Sequence, residues 1–155
     1  MTTPIELFAG LEAADADAIR ALGHTIRLAP GQALFGLGDD ATHLYLVERG
    51  RIALTLPLRV GDREQQVPVE ERSAGQALGW SALIPPHHFT LSAKALAETA
   101  LLAVPRTELL AYLESHPAAG YRFTLNVASM VGHRLNVTQT MWMREVQRVV
   151  TLSYA

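Results

Sequence analysis

Cysteine is absent from the sequence, and its absence excludes several kinds of site at once. Disulfide bonds, zinc sites built on thiolates, iron–sulfur clusters and a cysteine nucleophile all need a thiol. Charge is also scarce, because 18% of the residues are Asp, Glu, Lys or Arg, against about 25% in an average globular domain. The formal net charge is −2 and no run of Lys and Arg occurs, so nothing indicates binding to a nucleic-acid backbone.

Long apolar segments are missing too. No window approaches the roughly 18 consecutive apolar residues of a membrane-spanning helix, and residues 1–17 lack the basic start and apolar centre of a signal peptide. We therefore expect no membrane contact and a cytoplasmic location. The sequence also lacks a phosphate loop of the form G-x-x-x-x-G-K-S/T and a serine in an elbow motif. With no catalytic machinery in view, we predict that the protein is not an enzyme.

Apolar residues, in contrast, make up 49% of the sequence. A chain of 155 residues can bury a substantial core, and we predict one domain over residues 1–155. Many apolar and few charged residues together indicate that a partner covers part of the surface.

Between residues 24 and 105, short apolar runs alternate with Gly, Pro and Asp. Strands at this spacing are typical of an antiparallel β-roll (a double-stranded β-helix or jelly roll), and we predict a mainly β fold with flanking helices. Gly31, Gly38 and Gly50 stand where hairpins need a positive φ or a tight reversal. The predicted strands cover residues 24–28, 33–36, 43–48, 51–58, 65–70 and 98–105, with two more flanking the cassette segment described below.

Helices are predicted on both sides of the β-roll. Apolar residues three or four apart between residues 5 and 22 indicate an amphipathic helix that ends at Gly23. A short helix follows the β-roll, with Thr107 as its N-cap and a break at Pro117; together with a long helix it covers residues 106–152. Residues near heptad spacing on the long helix predict the seam of a homodimer. These seam residues are Ala128, Val131, Leu135, Thr138, Trp142 and Val149.

The segment from Gly75 to Ala95 is the strongest candidate for a ligand site. It is predicted as a strand, a one-turn helix, a loop with two prolines and two histidines, and a second strand. At the start of that helix, backbone N–H groups are expected to be free to attract an anion. These donors belong to Trp80, Ser81 and Ala82.

A first stretch of the chain resembles known domains. From Pro30 to Ile52 the sequence reads P-G-x-x-L-F-x-x-G-D-x-x-x-x-L-Y-L-V-x-x-G-R-I. This string is similar to the first half of the β-roll in the cyclic nucleotide-binding domains of Crp/Fnr-type regulators and regulatory kinase subunits. The resemblance covers roughly residues 5–150.

The segment from Gly75 to Ala95 resembles the phosphate-binding cassette of the same domains, which reads F-G-E-L/I-A and later R-S/T-A. Trp80 stands at the position of the Glu and Phe89 at the position of the Arg, whereas Thr90 keeps the Ser/Thr position. The resemblance implies a ligand pocket at cassette-equivalent positions. These are Leu78, Gly79, Trp80, Ser81, Ala82, Phe89 and Thr90.

The resemblance also has implications for the long helix and for the end of the chain. In these regulators the corresponding helix forms a parallel dimer and closes over the ligand, which implies a lid made by Met130, Arg134, Leu135 and Thr138. Crp/Fnr regulators continue into a winged-helix DNA-binding domain. The sequence ends at Ala155, so we expect no DNA-binding domain.

A cyclic phosphate needs a guanidinium fork and an acceptor for the ribose hydroxyl, and neither Phe89 nor Trp80 supplies them. We therefore expect no tight binding of cAMP or cGMP and no other cofactor. The two aromatic side chains either line an apolar pocket for a different small ligand or fill the old pocket. The sequence thus predicts a stand-alone sensor or regulatory module that acts through such a ligand or through contacts with a protein partner.

Six histidines leave one alternative open, a metal- or haem-binding β-roll protein. A cupin-type metal site needs spaced ligands that face one ion, but His87 and His88 are adjacent and would point to opposite faces of an extended segment. No glutamate follows at cupin spacing, so no metal site is predicted. A haem with His87, His88 or His133 as axial ligand is the remaining form of this alternative.

Overall fold

The structure is a computed structural model that describes residues 3–154. In this range eight strands form two four-stranded sheets, with orders β1-β8-β3-β6 and β2-β7-β4-β5. Every pairing is antiparallel, which confirms the predicted β-roll. The strands are β1 His24–Leu28, β2 Ala33–Phe35, β3 His43–Arg49, β4 Arg51–Val60, β5 Arg63–Ser73, β6 Ala77–Leu78, β7 Ser92–Ala95 and β8 Thr99–Pro105.

The predicted turn glycines have the backbone conformation that was expected of them. Gly31, Gly38 and Gly50 have φ of 82°, 88° and 93°, a region that residues with a side chain rarely adopt. The need is sharpest at Gly50, where an added Cβ would lie 2.5 Å from the carbonyl oxygen of Glu98. The chain can therefore pass from β3 to β4 only with glycine at this position.

The predicted helix over residues 5–22 is wrong in its first half. The chain forms a short 3-10 helix at Glu6–Phe8 and then helix α1 at Ala13–Leu22. Gly10 breaks the run with a φ of 75°. The side-chain amide of Asn126 donates hydrogen bonds to the backbone carbonyls of Leu7 (2.9 Å) and Ala9 (2.8 Å), so contacts from a distant helix replace the local helical pattern. The prediction that Gly23 ends the helix is confirmed.

Two helices follow the β-roll, α2 at Arg106–Ser115 and α3 at Pro117–Ser153. Helix α2 begins one residue after Pro105, which occupies the N-cap position in place of the predicted Thr107. The Arg106 N–H donates to the carbonyl oxygen of Thr42, and this contact with the roll fixes the start of the helix. The break at Pro117 is confirmed, because α2 ends at Ser115 and Pro117 is the first residue of α3. None of the helices within the described residues is long and apolar enough to cross a membrane.

The two sheets enclose an apolar core, and α3 packs against it only through its first half. The buried residues of α3 are Ala119, Gly120, Phe123, Val127 and Met130. Every residue of the helix from Leu135 to its end at Ser153 is exposed. About 20 residues of α3 therefore extend past the β-roll without packing on it.

Candidate functional site

The cassette segment forms a sharp turn between β6 and a 3-10 helix at Trp80–Ala82. Gly79 makes this turn with φ 82° and ψ 31°, a left-handed conformation. The Ala82 N–H donates to the carbonyl oxygen of Gly79 at 3.0 Å, so the expectation of three free donors is wrong for this residue. Across residues 3–154, the N–H groups of Trp80 and Ser81 donate to no backbone or side-chain acceptor. The turn thus presents two free donors instead of three.

Phe89 occupies the space in front of this turn. Its ring stacks on the ring of Phe35, with centroids 3.6 Å apart and planes tilted by 10°, and Phe35 stacks in turn on Tyr45. Phe89 is only 4% exposed. The cavity left at the cassette measures about 10 Å³, room for at most one water molecule. The ring of Phe89 therefore fills most of the space in front of the cassette turn.

The other cassette-equivalent residues surround this filled space. Ser81 and Ala82 are buried, Trp80 is half-buried, and Thr90 is exposed at the edge of the small cavity. Leu78 points into the apolar core instead of lining the cavity. The residues that line the cavity are Phe35, Leu54, Gly79, Trp80, Ser81, Phe89, Thr90, Leu91 and Arg134.

The predicted lid residues on α3 occupy different environments. Arg134 lines the cassette cavity, and Met130 packs into the core. Leu135 is 55% exposed, and Thr138 is exposed as well. The structure therefore brings Arg134 to the cassette and leaves Leu135 and Thr138 on the solvent-facing part of the helix.

Beside the cassette lies a group of ion pairs that the sequence did not reveal. Glu70 on β5 receives a hydrogen bond from Arg134 Nε at 2.8 Å, and its other carboxylate oxygen lies 2.7 Å from Arg72 Nη2. Arg72 also faces Glu6 at 3.6 Å. Burial lowers the pKa of the Arg134 guanidinium, the carboxylate of Glu70 opposes that shift, and the charge of Arg72 adds to it. The group links β5 to the long helix across the mouth of the roll.

Glu70 and Arg72 were missed because the signal lies in strand register. They pair across the sheet with Leu54 and Ile52, two buried apolar residues, so all four side chains face the interior. Alternate residues of a strand share a face. If the register of the β4–β5 hairpin had been worked out from the sequence, it would have identified Glu70 and Arg72 as facing inwards.

The histidines considered as haem or metal ligands lie apart. His87 Nδ1 lies 3.2 Å from the carbonyl oxygen of Ser81, and the residue has a φ of 61°, so the loop is not extended there. His88 forms an isolated bridge with Asp40. His133 lies on α3 and lines a different cavity. Among the described residues, no three His, Asp or Glu side chains form a group able to hold a metal ion.

Comparison with known families and structures places these observations in context. A family model described as "Cyclic nucleotide-binding domain" matches residues 25–116. A comparison with curated proteins gave no significant match.

Several solved structures share the fold. The catabolite activator protein of Thermus thermophilus is 25% identical with a TM-score of 0.74; the match covers 91% of this chain and 63% of that one. A putative cyclic nucleotide-binding protein from Geobacter metallireducens GS-15 is 26% identical with a TM-score of 0.69, covering 83% and 91%. The N-terminal domain of a transcriptional regulator from Streptomyces coelicolor A3(2) is 26% identical with a TM-score of 0.68, covering 83% and 89%.

The matched structures confirm the predicted similarity to Crp/Fnr-type regulators, and their names describe an activator, a binding protein and a regulator. This chain spans less than two thirds of the Thermus protein. The family match itself extends over more than half of the chain and takes in the β-roll together with the cassette. The chain therefore belongs to the cyclic nucleotide-binding domain family.

Proposed function

We propose that this chain is a regulatory module whose cassette does not bind cAMP or cGMP and whose output is a contact made by helix α3. The observation that carries the proposal is the position of Phe89, buried against Phe35 in front of the cassette turn. A cyclic phosphate would have to displace this ring, and it would find an aromatic face at the position of the family's arginine. Arg134, which also lines the cavity, is already paired with Glu70. Both features argue against a cyclic nucleotide at the cassette.

Helix α3 supports the second half of the proposal. It contains 37 residues, or about 55 Å of helix at 1.5 Å per residue. Its outer part exposes large apolar side chains at the predicted seam, with Leu135, Trp142 and Val149 exposed by 55%, 65% and 58%. Exposed apolar surface of this extent is typical of interfaces, and we propose that a second copy of the chain covers it.

An apolar groove at the base of α3 continues the same surface. It has a volume of about 450 Å³ and lies between the loop after the cassette, α2 and α3. Ala128 and Val131, the first two predicted seam residues, line it together with Ile84. Because Ile84 lies in the loop that follows the 3-10 helix of the cassette, a partner in this groove would connect the seam with the cassette loop.

The direct test is calorimetry with cAMP and cGMP. We expect binding no tighter than about millimolar, because losing a bidentate charged contact costs several kcal/mol. The variant Trp80→Glu/Phe89→Arg restores the family residues and should bind cAMP measurably. The matched control Trp80→Gln/Phe89→Leu opens the same space without the charges, and it should not bind. Micromolar binding of cAMP by the unmodified protein would refute the proposal. That the protein is cytoplasmic and that it is not an enzyme remain predictions from the sequence.

A further inference from the structure

A second cavity lies on the other side of the ion pairs, between the N-terminal segment, the end of β5 and helix α3. Its volume of about 390 Å³ falls within the range of small-molecule sites, which runs from about 300 to 1,000 Å³. Unlike the cassette, it is open, and six of its seven lining residues are polar or charged. The lining residues are Glu6, Arg72, Gln76, Asn126, Ser129, Met130 and His133.

Arg72 is the unusual member of this lining. Its side chain is 4% exposed, yet Nε and Nη2 are buried without a hydrogen-bond partner among the described residues. Glu70 lies 2.7 Å from Nη2 without the angle of a hydrogen bond, and Glu6 lies 3.6 Å from Nη1. A buried guanidinium in this condition is costly. Nη1, which is not one of these buried atoms, also makes no hydrogen bond within the described part of the chain, and it lies 3.6 Å from Glu6, a residue that lines the cavity. A ligand in the cavity can therefore accept a hydrogen bond from Nη1.

The charges around Arg72 leave room for an anion. Glu70 is the one carboxylate in close contact, and it is shared between Arg72 and Arg134. The second carboxylate, on Glu6, is 34% exposed, and its Oε1 already accepts a hydrogen bond from the Ala77 N–H at 2.8 Å. The two guanidinium groups therefore have too few acceptors at close range.

Further donors face the same space. Gln76 uses its side-chain oxygen to accept from the Ser73 N–H at 2.8 Å, which leaves its NH₂ group as a donor. The exposed ring of His133 adds another polar group from α3. Asn126 uses its NH₂ on the carbonyls of the N-terminal segment, so its carbonyl oxygen is left as an acceptor. Donors thus collect around Arg72 and Gln76, and acceptors collect at Asn126 and Glu6.

From this arrangement we infer that the polar cavity binds a small molecule that carries a carboxylate or phosphate next to a hydroxyl or amine. The oxyanion lies against Arg72 and the Gln76 amide, and the neighbouring donor lies against Glu6. The inference names a ligand class for the proposed regulatory module but stands on the cavity alone. Because the cavity joins the N-terminal segment, β5 and α3, a bound ligand fixes the position of the long helix on the roll.

The test is two-dimensional NMR of the ¹⁵N-labelled protein, titrated with two matched pairs of probes. L-malate against succinate asks whether a hydroxyl is needed, and glycerol 3-phosphate against glycerol asks whether an oxyanion is needed. We expect saturable shifts at the side-chain amides of Gln76 and Asn126 with L-malate, glycerol 3-phosphate or both. The probe that binds identifies carboxylate or phosphate as the preferred oxyanion.

Two variants and one control connect the binding to the proposed contacts. Arg72→Met removes the guanidinium and keeps an apolar stem, while Glu70 keeps its ion pair with Arg134. Gln76→Glu keeps the acceptor for Ser73, but it places a negative charge next to the bound oxyanion and repels it. Each should weaken binding by about tenfold or more. Arg51→Met, on a side chain 58% exposed and outside the cavity, should leave affinity within about twofold of the unmodified protein.

The inference is overturned if neither L-malate nor glycerol 3-phosphate gives a saturable shift at millimolar concentration. It is also overturned if both Arg72→Met and Gln76→Glu fold and bind as the unmodified protein does. Succinate binding as tightly as L-malate would remove the role assigned to Glu6. Calorimetry with cAMP tests the cassette separately. The proposal about the cassette and the inference about this cavity can therefore fail independently of each other.

Discussion

At the scale of single residues, Gly79 allows the cassette turn to pack closely against the ring of Phe89. A Cβ at this position would lie 3.2 Å from both the carbonyl oxygen of His43 and Phe89 Cε1, and 3.3 Å from Tyr45 Cδ2, on a backbone with φ 82°. Gly31 has the same φ but no atom within 4 Å of such a Cβ. The two glycines therefore separate the cost of backbone conformation from the cost of crowding.

We predict that Gly31→Ala lowers the free energy of unfolding by about 1 to 2 kcal/mol, the cost of the left-handed conformation. Gly79→Ala should cost about 1 kcal/mol more, because the aromatic rings must also move. Urea denaturation of both variants measures the difference. Equal losses of unfolding free energy in the two variants would mean that the rings move without measurable cost and that Phe89 is not tightly packed.

His43 gives a prediction about pH. Burial lowers its pKa, the charge of His24 lowers it further, and Glu108 opposes the shift. The folded protein therefore takes up this proton less readily than the unfolded chain. Stability is retained above the ordinary histidine pKa of about 6.5 and decreases as the pH falls through that value towards the lower pKa of the folded state.

We expect His43→Gln to lose less stability than the unmodified protein between about pH 7.5 and pH 5. Urea denaturation at the two pH values tests this. His116→Gln, at an exposed position between α2 and α3, serves as the histidine control and should keep the acid sensitivity of the unmodified protein. A variant at residue 43 with unchanged acid sensitivity would contradict the assignment.

At the scale of elements, Glu70 connects β5 to helix α3. Its two carboxylate oxygens face Arg72 and Arg134, which are both largely buried. Glu71, the next residue, forms only an exposed pair with Arg51 at 3.7 Å. Adjacent glutamates on one strand thus provide a buried and an exposed ion pair for comparison.

Glu70→Gln should lower the free energy of unfolding by about 2 to 3 kcal/mol, because it leaves Arg134 without a charged partner and leaves Arg72 with only the carboxylate of Glu6, 3.6 Å away. Glu71→Gln should change it by less than about 0.5 kcal/mol. Thermal and urea unfolding of both variants measure the pair. Similar small effects would show that water enters and solvates the arginines around residue 70.

The elements also show which parts of the fold are readable from the sequence. The hairpin at Gly50 was predictable because glycine is the residue that tolerates its φ of 93°, a local requirement. The break at Gly10 was not, because Asn126, far along the chain, holds the carbonyls of residues 7 and 9. A sequence shows which residues can adopt an unusual local backbone conformation. It does not show which distant residues will bind the same backbone groups in the folded protein.

The candidate site also contains residues that the sequence revealed and residues that it did not. Phe89 was recognised as a replacement for an arginine because the cassette has a fixed spacing. Its stacking partner Phe35 lies 54 residues earlier and meets it only through the pairing of β2 with β7. Arg72 was hidden for a related reason, since its inward direction depends on a register with Ile52 that the hairpin sets.

At the scale of the whole molecule, the outer part of α3 has no partner within the described chain. The exposed Leu135 and Trp142 lie seven residues apart, which places them on the same face of the helix. Met143 and Val150 are also exposed and seven apart, but they lie on a different face. The helix thus offers two apolar pairs of the same spacing, of which only one belongs to the predicted seam.

If a second copy binds the seam, light scattering of the unmodified protein gives about twice the chain mass of 16.9 kDa. Leu135→Glu/Trp142→Glu should then yield monomers, because two carboxylates on each helix would face one another in an apolar interface. Met143→Glu/Val150→Glu adds the same charge off the seam and should remain dimeric. Circular dichroism checks that both variants keep the helix. A monomeric unmodified protein at micromolar concentration contradicts the dimer. Loss of the dimer in both variants would mean that the interface is not confined to the predicted seam.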